Sequence, residues 1–116
     1  MMNNQDFRAK LYLSLTHSFL GKIDPRLRAI QMKFDNDQIR VICYFDGEIT
    51  DDDIEEISEV EDVIISDFCT PYNKIMVLCE CKRLDAPAEL PCDKITEWFY
   101  LRKEKHCKSD NLASLC

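Results

Sequence analysis

Apolar residues recur at helical spacing in one stretch of this chain, alternate in four others, and in one place give way abruptly to a cluster of carboxylates. Between residues 6 and 20, Phe7, Leu11, Leu15 and Phe19 stand four apart and Tyr12 and Leu20 widen the stripe. Arg8, Lys10, Ser14 and Ser18 fall off it, which is the pattern of an amphipathic helix. Gly21 just past the last periodic residue suits a left-handed C-terminal cap, and Pro25 bars continuation.

Residues 29–34 alternate, with Ile30, Met32 and Phe34 on one face and Gln31 and Lys33 on the other. Residues 39–45 follow across Asp35-Asn36-Asp37, so the two runs predict a hairpin. In the second run Ile42 and Tyr44 put bulk opposite Val41, Cys43 and Phe45, so this strand is expected to be central and covered on both faces, Arg40 excepted. After the Asp46-Gly47 turn, Thr50 is an N-cap, and Asp51, Asp52 and Asp53 meet the exposed amides of a first helical turn. A helix over 51–62 is predicted, with Ile54, Ile57 and Val60 inward and Glu61 on neither face.

Residues 62–68 contain the β-branched run Val63-Ile64-Ile65 ahead of a turn at 69–73, which predicts a strand forming a hairpin with 74–83. In the latter, Ile75, Val77, Cys79 and Cys81 share a face opposite Met76 and Leu78. Pro87 and Pro91 bracket a loop before a last strand over 94–102, with Trp98 and Tyr100 opposite Ile95, Phe99 and Leu101. Polar residues 105–116 predict a frayed tail. The expectation is one α+β domain over residues 1–104: an antiparallel sheet of about five strands with an N-terminal helix and one short acidic helix, in the order α-β-β-α-β-β-β.

Charge changes the picture from fold to partner. From Asp35 to Asp67 there are 13 acidic residues against the single base Arg40, whereas the whole chain is only −7. The remainder is mildly positive. The cluster lacks the interleaved lysines that would support a helix by i, i+4 pairing, so the fold bears self-repulsion with no local return. A basic protein partner accounts for that better than solubility alone, and nucleic acid or an anionic membrane is disfavoured by the same charge. The candidate contact residues are Asp46, Glu48, Asp51, Asp52, Asp53, Glu55, Glu56, Glu59 and Asp62.

Other chemistry finds less support. At 116 residues the chain suits one modest core, and 46% apolar content beside 32% charged content fits a globular protein. No secretion signal or apolar span is visible, so a cytoplasmic monomer is expected. The seven cysteines then read as core thiols rather than disulfides. Cys79, Cys81, Cys92, His106 and Cys107 could assemble a metal site, but paired zinc spacings are missing, so no metal or cofactor is expected. His17 and His106 have no nucleophile and carboxylate at an interpretable spacing, so catalysis is not expected. Consecutive Asp51-Asp52-Asp53 does not make a calcium loop. A thiol or metal-binding protein, or an acidic adaptor with an unrelated basic partner, is the alternative.

Five segments carry a resemblance: residues 19–29 around Asp24-Pro25-Arg26-Leu27-Arg28, the block Tyr44-Phe45-Asp46-Gly47-Glu48-Ile49, residues 63–68, Arg83-Leu84-Asp85-Ala86-Pro87, and Trp98-Phe99-Tyr100-Leu101-Arg102-Lys103-Glu104. Together they make the chain similar to bacterial immunity-type proteins of contact-dependent growth inhibition and other polymorphic toxin systems. The resemblance implies a non-catalytic inhibitor of a cognate toxin, commonly a nuclease domain whose basic cleft would meet the acidic face. It covers residues 8–104, leaving Cys107 and Cys116 outside.

Overall fold

The computed structural model describes residues 3–35, 37–71, 74–91 and 97–104. Helix α1 (Asn4–Ser18) starts where the Asn3 side chain accepts the Asp6 amide at 2.8 Å. Its stripe of Phe7, Leu11 and Leu15 runs on through Phe19 into the core. Leu20, expected in that stripe, is 80% exposed: the helix has ended, and Gly21 at φ +80° turns the chain away.

Strands β1 (Leu27–Phe34) and β2 (Gln38–Phe45) form the expected antiparallel hairpin. Helix α2 (Asp51–Phe68) then carries the chain back along the sheet, so β3 (Met76–Arg83) pairs with β2 in parallel. Strand β4 (Glu97–Leu101) joins the far side of β1 antiparallel, giving the order β3-β2-β1-β4. The four-stranded sheet is therefore mixed, where an antiparallel one of about five strands was expected.

Both departures share one cause, the segment 62–68, which is helix rather than strand. Ile57, Val60, Ile64 and Phe68 make a single buried stripe on α2, from which Ile54, expected inward, is turned out at 55% exposed. Each β-branched residue costs only tenths of a kcal/mol in a helix, whereas burying Ile64 and Phe68 returns about 1.5–3 kcal/mol apiece. Packing outweighs propensity, and a strand is lost.

Both helices cover one face of the sheet. There Phe7, Leu11, Leu15, Ile57, Val60 and Ile64 meet Ile30, Met32, Val41, Cys43 and Phe45 in one core. On the other face Ala29, Ile42 and Tyr44 are covered by Leu84, Leu90 and Trp98, so β2 is central and doubly covered, as its pattern predicts. The two-by-two face assignment for β4 does not hold. A bulge opposite Ile30 and Gln31 puts both Phe99 and Tyr100 against the main core while Trp98 reaches the opposite face. Ser14, read as off the stripe, is buried and donates to Asp67 at 2.6 Å, tying α1 to α2. No described helix is long and apolar enough to cross a membrane. The expected tail, 105–116, lies outside the described residues.

Candidate functional site

Helix α2 is fixed at its start by a reciprocal cap. The Thr50 hydroxyl accepts the Asp53 amide at 3.1 Å, and the Asp53 carboxylate accepts the Thr50 amide at 2.9 Å. Arg26 donates to both Asp53 oxygens, at 2.7 and 3.0 Å, and to the Glu48 carbonyl at 2.9 Å. Asp53 is only 6% exposed, and Arg26 holds its carboxyl below the usual range. This residue, one of the nine candidates, is thus turned inward.

The other candidates separate by partner. Asp46 is half-buried and bound by Arg102 at 3.2 Å. Glu59 is exposed and takes Lys22 at 2.6 Å. Glu48 is exposed at the turn before the helix. Asp51, Asp52, Glu55, Glu56 and Asp62 are exposed along α2 and make no ion pair among the described residues. With 3.6 residues per turn, Asp51, Glu55 and Asp62 fall in one stripe opposite the buried Ile57, Val60 and Ile64. Asp52 and Glu56 flank it toward α1. A rigid helix therefore holds five carboxylates in water on one side without a salt bridge among the described residues, the Lys22 bound to Glu59 acting on Glu56 only through space.

Glu61, which the pattern leaves unplaced, accepts the backbone N–H of Cys79 on β3 at 2.9 Å. Sequence spacing carries no signal for that contact, because it depends on where β3 lies.

Three of the four described thiols are kept from activation by burial. Cys43, Cys69, Cys79 and Cys81 are free. Burial pushes the Cys43 thiol well up, that of Cys79 to about 12 and that of Cys81 to about 11, the opposite of an activated cysteine. Among the described residues no three His, Cys, Asp or Glu side chains could hold a metal ion. Cys92, His106 and Cys107 lie outside them.

A family model described as MafI2 immunity protein matches residues 8–104. The chain belongs to that family. Comparison with curated proteins gives no match. In this MafI2-family chain four of the five segments that carried the resemblance come together at one end of the sheet, while 63–68 closes α2 near the other end, where Phe68 packs on Phe7. Arg28, fully buried, donates to both Glu104 oxygens at 2.8 and 2.9 Å and to the Leu84 carbonyl at 2.8 Å. Arg102 joins Glu104 to Asp46 and donates to the Pro25 carbonyl. Asp85 accepts the Gly47 amide at 2.7 Å and pairs with Arg83. Gly47 there has φ +104°, a backbone that an L side chain rarely adopts. The motif residues at this end accordingly build the scaffold that seats α2; of their exposed carboxylates, Asp85 is tied to Arg83 and the Gly47 amide, whereas Glu48 makes no salt bridge among the described residues. The family is one of immunity proteins, so the partner it implies is a cognate toxin.

Proposed function

We propose that the chain neutralises a toxin domain with a cationic surface by laying the outward face of α2 against it, as a monomer in the cytoplasm and without catalysis. The observation that carries this reading is the separation within the acidic cluster. Asp46, Asp53 and Glu59 are held in salt bridges within the fold, whereas Asp51, Asp52, Glu55, Glu56 and Asp62 make none among the described residues. Like charges held together cost stability. Opposing cations across an interface convert that cost into rapid, steered association and partner selection. A nuclease fits best, because a surface shaped to bind phosphate is already positive and is also the one to block.

The test is affinity for the toxin domain encoded beside the chain's gene. Reversing Asp52→Lys, Glu55→Lys, Glu56→Lys and Asp62→Lys together should weaken binding by about thirtyfold or more, at roughly 0.5–1 kcal/mol per exposed pair. Reversing two exposed acids elsewhere, Asp6→Lys and Glu89→Lys, should leave it within about threefold. Equal losses from both sets would place the contact elsewhere.

A further inference from the structure

Strand β3 is an edge: β2 pairs with it on one side, and no described strand lies on the other. Met76 and Leu84 donate toward β2, to the Asp37 and Phe45 carbonyls. Peptide groups alternate along a strand, so those of Val77, Cys79, Cys81 and Arg83 point away from β2. Glu61 takes the outward N–H of Cys79.

Beside this edge a groove of about 530 Å³ runs between α2 and β3, lined by Ile49, Ile54, Ile57, Cys79, Cys81 and Glu61. Large apolar side chains are exposed along the same strip. Ile54 is 55% exposed on the helix side, and Met76 is 69% exposed on the other face of β3, with Leu78 beside it. The unpaired carboxylate stripe of Asp51, Glu55 and Asp62 borders the groove on its solvent side. An open strand edge, apolar surface on both faces of it and an adjoining anionic border describe an extended peptide in negative: main chain for the edge, apolar side chains for the groove, cations for the border.

We infer that β3 accepts an added strand, an extended segment of the toxin whose positions facing α2 carry both a large apolar residue and lysine or arginine, and whose intervening positions are apolar and face Met76 and Leu78. The segment pairs along the outer edge of β3 and displaces Glu61 from the Cys79 amide. One apolar side chain sits in the groove against Ile54 and Ile57, while the cations meet Asp51, Glu55 and Asp62. Main-chain bonds supply affinity, and alternate side chains supply selectivity. Until then Glu61 guards the edge against pairing with another copy of the chain. This inference rests on the proposed toxin contact but makes a separate demand, since charge alone requires neither groove nor edge.

The Ile54→Asp variant separates the two. It changes an exposed position, so folding is checked by circular dichroism, and it adds negative charge beside a negative stripe. Strand addition predicts at least a tenfold weaker complex with the toxin domain encoded beside the gene. Purely electrostatic docking predicts equal or tighter binding. Independently of any variant, amide exchange at Val77, Cys81 and Arg83 in the wild-type chain should slow when that domain binds. Undiminished affinity of Ile54→Asp together with unprotected β3 amides overturns the inference and leaves the acidic-face reading standing. Protection of those amides already in the free protein, by its own chain or a second copy, also overturns it. No complex with the wild-type chain removes the proposed function and the inference with it.

Discussion

Arg28 has no exposed surface, and its charge is balanced almost entirely by Glu104, 76 positions later in the chain. A buried pair of this kind adds little over an apolar replacement, but losing one partner strands the other. Arg28→Ala is therefore expected to cost about 3–5 kcal/mol in urea unfolding. The bonds from Arg28 hold the Glu104 carboxyl down at about 2 from an ordinary 4.5. A carboxyl depressed in the folded state gives stability that is fully present above its unfolded value and is lost as pH falls from about 4.5 toward 2. The full difference is about 3 kcal/mol. Denaturation across that window should show a steep acid limb, flattened in Glu104→Gln. Both partners lie in segments that carried the resemblance, but nothing in the sequence joined them. Arg28 lies where the register of β1 slips, between Leu27 and Ala29, and a bulge has no signature in alternation. Thiol titration at neutral pH should find Cys43 accessible only on unfolding, and Cys79 and Cys81, which line the groove, slow to react because their thiols stay protonated.

At the scale of elements, the start of α2 was legible because its cap is local, Thr50 acting within three residues of itself, whereas α1 begins at Asn4 on an Asn3 cap, two residues before its apolar stripe suggested. The hairpin and the doubly covered β2 were legible for a similar reason, since alternation reports the faces of a strand directly. The end of α2 was not. Val63-Ile64-Ile65 has strand propensity, and only the tertiary partners of Ile64 and Phe68 decide for helix. Ile64→Ala should accordingly cost about 2–5 kcal/mol, and Thr50→Ala about 1 kcal/mol through loss of the cap, both measurable by denaturant unfolding. The greater cost at Ile64 is what a helix docked along its whole length requires. A strand pairing with β3 at that position would instead leave far-UV circular dichroism with less helix than the 18 residues of α2 supply.

Across the whole molecule, charge and fold divide the acidic cluster between two tasks. Asp46 and Asp53 belong to the network that joins β1, α2 and the end of β4, while Asp51, Asp52, Glu55, Glu56 and Asp62 stand in solvent on the helix that network positions. The sequence made the excess of charge legible but not this division, because pairing with Arg26 or Arg102 depends on chain segments distant in order. The most direct measurement is the rate of association with the toxin domain encoded beside the gene, followed by stopped flow across ionic strength. It compares the wild-type chain with the variant Asp51→Asn, Asp52→Asn, Glu55→Gln, Glu56→Gln, Asp62→Asn. The account predicts a wild-type rate that falls steeply with added salt and a variant at least about tenfold slower at low salt with little salt dependence. Equal rates and equal salt slopes for the two proteins would contradict it.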